Sequence, residues 1–349
     1  MTDNNKTRIV VGLSGGVDSS AAASLLVEQG YDVVGITLKV WPQDCVSRAE
    51  DKCCGPQAVM DARSVADKLD IPYYLVDESK EFQRDVIDYF AAEYMAGRTP
   101  NPCVMCNEKL KFGNLIDRAR KLGAEYVATG HYARLEQRDG RIVLLRGRDA
   151  RKDQTYFLFS LGQEQLAHMM FPLGELQKSE TREVARCVNL KTAEKQESQE
   201  ICFVPDKDYK KFLTTAGLVE EHRGEIVDTR GQVLGHHDGI EFYTIGQRKG
   251  LGISSPTPMY VIELDPENNR VVVGGEELLL RDEFRIDRCN WIAFDHLAEP
   301  IEASAAIRYN HPGTEATVIP DENGQAKVKL REPQRAVTPG QACVFYQDD

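Results

Sequence analysis

The chain has 349 residues, of which 42% are hydrophobic and 28% charged, with a net charge of −12. That length suits two or three domains, the balance excludes a disordered chain, and no run of about 18 apolar residues exists to cross a membrane. The polar N-terminus from Met1 to Arg8 lacks an apolar signal core, and the nine cysteines form an odd set; the expectation is a cytoplasmic protein with reduced thiols.

The first half alternates strands and helices. Arg8–Leu13 is a short continuous apolar run, as a buried parallel strand should be, and Asp18–Gln29 is helical in pattern, closing on Gly30. Asp32–Leu38 predicts the next strand, 57–69 a helix, Pro72–Asp77 a third strand and Phe82–Tyr94 a third helix. A basic helix begins near Asn107, and Tyr126–His131 reads as a fourth strand. This rhythm predicts a doubly wound parallel α/β sheet with ligands at the carboxyl ends of its strands. After about residue 205 the texture becomes β-rich. A short helix at Tyr209–Leu213 leads to strands at Gly224–Asp228, Met259–Leu264 and Arg270–Gly274, the last two joined at Asn268-Asn269. Strands at Ile301–Tyr309, Glu315–Ile319, Ala326–Leu330 and Ala342–Tyr346 then suit a small β-barrel. The expected domains are 1–206, a mainly-β central domain at 207–280, and a C-terminal barrel at 281–349.

Charge is unevenly spread. Residues 109–152 carry 12 Lys and Arg against 5 acids, a basic island that is either an electrostatic footprint for nucleic acid or a solvated helix face plus a charged hairpin.

Three segments could carry chemistry. Gly12-Leu-Ser-Gly-Gly-Val-Asp-Ser19 lies between the first strand and first helix, where backbone N–H groups and a helix N-terminus face an anion. It lacks the Lys-Ser/Thr ending of a Walker loop, which argues against a kinase or GTPase. Asn101-Pro-Cys-Val-Met-Cys-Asn107 puts Cys103 and Cys106 in C-x-x-C spacing ahead of a helix, with Lys109 and Lys111 near, a setting that favours the thiolate. By itself that spacing serves a redox pair, half a metal site or chance equally well. Cys202 lies in an apolar run and by itself reads as a small buried residue, as do Cys187, Cys289 and Cys343. Cys45, Cys53 and Cys54 share an irregular loop.

The loop at Gly12–Ser19 resembles that of the PP-loop ATP pyrophosphatases. With Asn101-Pro-x-x-x-Cys106-Asn, Ala128-Thr-Gly-His-Tyr132, Lys152-Asp-Gln-Thr-Tyr-Phe-Leu158, Gln199-Glu-Ile-Cys202-Phe, Tyr243–Gly252 and Pro339-Gly-Gln341 coming after it in order, the chain resembles the bacterial tRNA-specific 2-thiouridylases, the MnmA family. The resemblance runs from Arg8 nearly to the end. It implies a tRNA-uridine 2-sulfurtransferase that adenylates the C2 oxygen of the wobble uridine and replaces it with sulfur, using ATP and Mg²⁺. Its partners would be tRNAs such as those for Lys, Glu and Gln, and a sulfur-carrier protein.

The resemblance also implies roles for individual residues. Gly12, Leu13, Ser14, Gly15, Gly16, Val17, Asp18, Ser19, Leu38 and Gly130 would surround ATP, Asp18 being catalytic. Cys202 would carry a persulfide, and either Cys106 would attack it, leaving a Cys106–Cys202 disulfide, or the persulfide would attack C2 directly. Asn101, Pro102 and Cys103 would contact the flipped-out base. His131, Lys152, Asp153, Gln154, Arg308, Tyr309 and Gln341 would touch tRNA. The chain departs from the family at Cys103, where some members carry Asp. An alternative is a [4Fe–4S] cluster held by Cys103, Cys106 and Cys202; another is a different PP-loop ligase, acting on a small molecule.

Overall fold

A computed structural model of the protein describes residues 6–40, 55–195, 201–204, 208–220 and 222–349. Cys45, Cys53, Cys54 and Gln199 lie outside the described residues. Contacts divide the chain into two compact units: residues 1–86 with 103–207, and residues 87–102 with 208–349.

In the first unit, β1 (Arg8–Gly12), β2 (Asp32–Lys39), β3 (Tyr73–Asp77), β4 (Tyr126–Ala128) and β7 (Met169–Met170) form one parallel sheet in the order β3-β2-β1-β4-β7. The apolar run Ile9-Val-Val11 is wholly buried because the central strand is covered on both faces. Helix α1 (Val17–Glu28) carries Ala21, Ala22 and Ala23, all fully buried; such small side chains let it pack closely between the sheet and the helix Lys178–Cys187. Helix α2 (Pro56–Leu69) buries Ala62, Val65 and Ala66 in the same core. The hairpin β5 (Ala133–Arg138) and β6 (Arg141–Arg146) stands apart as a two-stranded sheet.

The second unit holds two further sheets. β8 (Gly224–Asp228), β9 (Val233–His237), β10 (Tyr260–Asp265) and β11 (Arg270–Gly274) pair in the order β10-β11-β8-β9, around Ile226, Val261, Val271 and Val273. β12 (Leu280–Ile286), β13 (Ile301–Ala306), β14 (Thr314–Pro320), β15 (Ala326–Arg335) and β16 (Val344–Tyr346) form an antiparallel sheet ordered β12-β15-β14-β13-β16. No helix among the described residues is long and apolar enough to cross a membrane.

Several local expectations change. The strand expected at Tyr126–His131 leaves the sheet after Ala128, and the one expected at Ile301–Tyr309 ends at Ala306, so Arg308 and Tyr309 stand on an exposed turn. The helix expected at Phe82–Tyr94 begins at Ser79 and is wound more widely over Gln83–Asp88. Cys187 is exposed, not buried. Cys343 packs in the C-terminal core, where burial pushes its thiol up to about 12, so it is an inert structural cysteine.

Candidate active site

The glycine loop leaves β1 where the strand order turns, with β2 and β3 on one side and β4 on the other. In open α/β sheets that is the point at which the carboxyl ends of two strands diverge and leave a crevice. Leu13 ties the loop to β2: its N–H donates to the Ile36 carbonyl (2.8 Å), and its carbonyl accepts from Thr37 Oγ1 (2.6 Å), which places Leu38 one residue beyond. Gly15 adopts φ +70°, and a Cβ there would fall 2.2 Å from the Ala58 carbonyl oxygen. Gly130 lies against the first turn of α1, its missing Cβ 2.7 Å from the Ser19 nitrogen. Two strand-end turns therefore meet with no side chain between them, leaving backbone at the rim. Gly16 caps α1 without a side-chain hydrogen bond, so the first-turn N–H groups lack a side-chain acceptor from the cap. Ser14 and Ser19 set their hydroxyls 3.2 Å apart beside them.

The charges around this loop come from far along the chain. Asp18 accepts from Lys178 Nζ at 2.6 Å and from the Tyr132 hydroxyl at 2.9 Å; that hydroxyl lies equally far from Thr181 Oγ1. Lys195 Nζ donates to the Gly15 carbonyl (3.1 Å) and to Asp61 (2.6 Å). Lys178 and Lys195 are the residues that sequence reasoning missed. They lie 160 and 180 positions beyond their loop partners, on segments with no local signature. They bring two amines to a loop that has no lysine of its own, each paired with a carboxylate, Asp18 and Asp61.

The thiol motif begins a helix at Pro102, and wider turns run from Cys106 to Asn114. The expectation that Cys103 and Cys106 lie ahead of a helix is therefore corrected: Cys103 occupies the first turn, and Cys106 lies one turn inside. Both thiols are half-buried, as is Cys202. Asn107 is buried and donates to the Phe157 carbonyl (3.3 Å), joining the thiol motif to the Lys152–Leu158 motif. Phe203, beside Cys202, packs edge-on against Phe82 with centroids 5.7 Å apart, and both rings are buried. Among the described residues no three His, Cys, Asp or Glu side chains gather as a metal site. That geometry lends no support to a [4Fe–4S] cluster held by Cys103, Cys106 and Cys202.

The residues assigned to tRNA separate into two groups. His131 is 8% exposed and lies between the rings of Phe112 and Phe171, its Nδ1 2.8 Å from Thr129 Oγ1. Burial, helped by Lys111, pushes its pKa down to about 3, so it is a neutral interior side chain. Asp153 accepts from Gly147 N (3.0 Å) and Thr155 Oγ1 (2.7 Å), while Gln154 Oε1 accepts from Tyr132 N (3.1 Å); both hold the turn behind Tyr132. Lys152 is half-exposed, and Arg308 and Tyr309 are exposed, Tyr309 to 41%. Gln341 donates to the Thr99 carbonyl (2.7 Å).

Much of the basic island is internally paired. Arg118 bonds Glu78, whose side chain is 1% exposed; Arg120 pairs with Glu164, Arg138 with Glu136, and Arg148 donates to the Glu175 carbonyl. Paired guanidinium groups of this kind stabilise their own fold first.

Three family descriptions match in succession: the tRNA methyl transferase HUP domain over residues 7–206, its PRC-barrel domain over 210–275, and an aminomethyltransferase beta-barrel domain over 281–349. Relatives resemble the chain from end to end. A tRNA-specific 2-thiouridylase MnmA of Clostridium perfringens is 49% identical, covering 99% of this chain and 96% of its own length. Another of Moorella thermoacetica is 50% identical over 97% of this chain and 96% of its own. Since half the residues agree across all three domains rather than in the glycine loop alone, the chain belongs to the MnmA family of tRNA-specific 2-thiouridylases.

Proposed function

We propose that the protein is a tRNA-uridine 2-sulfurtransferase acting on wobble uridines, with residues 1–206 as its adenylating and thiolating domain, 207–280 a central domain, and 281–349 a tRNA-contacting barrel. The observation that carries this reading is the glycine loop at the turn of the strand order, with its uncapped helix end and its two flanking lysines. That arrangement suits the pyrophosphate of ATP, which must be held as it leaves. A methyl transfer, which two of the family descriptions name, has no use for such a grip.

The chemistry is set by the substrate. A carbonyl oxygen leaves poorly, so the uridine O2 attacks the α-phosphorus of ATP, pyrophosphate departs, and the oxygen becomes part of AMP. Backbone N–H groups at the start of α1 with Lys178 and Lys195 take up charge on the phosphates, and Gly15 and Gly130 let the turns that frame the site pack backbone to backbone. Mg²⁺ would enter with the nucleotide, Asp18 being the carboxylate at hand; one carboxylate with phosphate and water oxygens is ordinary for that ion, and it would neutralise phosphate charge. Sulfur would come from a persulfide-bearing carrier to Cys202. The Cys106 thiolate would attack the Cys202 sulfur, releasing hydrosulfide and forming the Cys106–Cys202 disulfide. Hydrosulfide adds at C2, AMP leaves, and a thiol reductant restores both cysteines. Asn101, Pro102 and Cys103 would receive the base, with Lys152, Arg308 and Tyr309 toward the rest of the tRNA.

Incubation with tRNA, ATP, Mg²⁺ and a persulfide donor, with mass spectrometry of the nucleosides, should yield 2-thiouridine. Cys106→Ser protein loaded with donor should carry one extra sulfur on the peptide containing Cys202. Absence of 2-thiouridine with a competent donor refutes the function; sulfur found only on Cys106 of a Cys202→Ser protein reverses the two roles.

A further inference from the structure

Thr99 lies two residues before Asn101, and its backbone is held on both sides by one loop from the far end of the chain. Its N–H donates to the Pro339 carbonyl at 2.8 Å, and its carbonyl accepts from Gln341 Nε2 at 2.7 Å. Between these two residues, Gly340 adopts φ +92°, and a Cβ there would lie 2.9 Å from Thr99 N and 3.0 Å from Thr99 O. A backbone approach this close in the left-handed region needs glycine. The segment is gripped from behind as well. Arg98 donates to Glu93 through Nε (2.8 Å) and Nη2 (2.5 Å), and Glu93 is buried on the helix Tyr89–Met95. Gly97, at φ +69°, lies against Leu264.

The residues just after Thr99 transmit this hold. Pro100 and Pro102 have φ fixed near −65°, and Thr99 and Asn101, each preceding a proline, are confined to extended conformations. From Thr99 to Asn101 the backbone is narrowed to extended conformations, so orienting Thr99 biases Asn101. We propose that the Pro339–Gln341 loop is a clamp that sets the Asn101-Pro102 base loop, with Gln341 a positioning residue acting through the Thr99 carbonyl rather than through RNA. This rests on the reading that Asn101 and Pro102 receive the target base. It makes the C-terminal domain part of the base-binding apparatus, whatever else that domain contacts.

The test compares Gln341→Ala, Gln341→Glu and Gly340→Ala in the full chain. The Glu variant keeps the side-chain size but has no N–H to donate. Gly340→Ala adds only a methyl group, which contributes no polar contact to RNA. Hydrogen exchange at Thr99, read on the peptide spanning residues 98–102, should quicken about tenfold in all three, the scale of one lost hydrogen bond. The rate of 2-thiouridine formation at saturating tRNA should fall about tenfold in all three, with tRNA affinity changed less than about threefold and ATP affinity unchanged. Unchanged exchange at Thr99 overturns the clamp even if activity falls. So does a Gln341→Ala defect confined to tRNA affinity with Gly340→Ala silent, since Gln341 would then be a direct RNA contact. If exchange quickens in the variants but the wild-type chain makes no 2-thiouridine, the clamp stands and the proposed function fails.

Discussion

His131 illustrates how burial overrules a motif. It comes directly after the glycine that packs on α1, and the family resemblance implies a tRNA contact for it; in the fold it is enclosed by Phe112 and Phe171. Its pKa is depressed from 6.5 to about 3, so between those values the unfolded chain binds a proton that the folded chain does not. Stability on this account is fully present above about pH 6.5 and falls as the pH drops toward 3, by up to about 1.4 kcal/mol per pH unit. Urea melts of the wild type and of His131→Gln at pH 7.5, 5.5 and 4.5 should show the gap between them narrowing as pH falls. A gap independent of pH would mean that the ring is accessible to protons in the folded state. Lys178 and Lys195 make the opposite case: nothing around them in the chain suggests a role, yet their amines reach Asp18 and the Gly15 carbonyl.

At the level of elements, the basic helix Leu115–Lys121 shows why counting charges misleads. Arg118 reaches to Glu78 at the end of β3, 3.1 Å away, and Asn114 donates to the other Glu78 oxygen at 2.6 Å. These contacts lock the helix to the strand end, so Arg118 belongs to the fold. Arg118→Glu leaves a buried carboxylate facing a second one and should destabilise by about 2 kcal/mol, less than a fully buried pair because the arginine is half-exposed. Lys121→Glu, at the helix C-terminus, should change stability by less than about 0.5 kcal/mol. Urea denaturation of the two variants measures the difference; equal losses would return Arg118 to the status of a surface charge.

At the scale of the whole molecule, the boundary between the compact units cuts the Asn101-Pro-Cys motif between Pro102 and Cys103. Residues 87–102 precede the central domain by more than a hundred positions but are packed with it. The ring of Tyr94 stacks on Tyr209 at 4.6 Å, and Thr99 is held by residues 339–341. A chain cut after residue 206 should keep its parallel sheet but lose hydrogen-exchange protection over 87–102, with Phe90 and Tyr94 left to bind a hydrophobic dye such as ANS. Retained protection there would show that the segment folds without its partners.

The sequence by itself determined what depends on near neighbours. The alternation of apolar runs and helices specified the parallel sheet, because buried strands and amphipathic helices each have a local period. The glycine loop was legible because a strand, a turn and a helix N-terminus are consecutive, and the ordered motifs identified the family. Tertiary structure decided what depends on distant partners: which lysines flank Asp18 and Gly15, that His131 is interior and neutral, that Arg118 serves Glu78, and that Gln341 holds Thr99. Hydrogen bonds and desolvation act over a few ångströms of space, and no local pattern records which residues 160 or 242 positions apart will be brought that close.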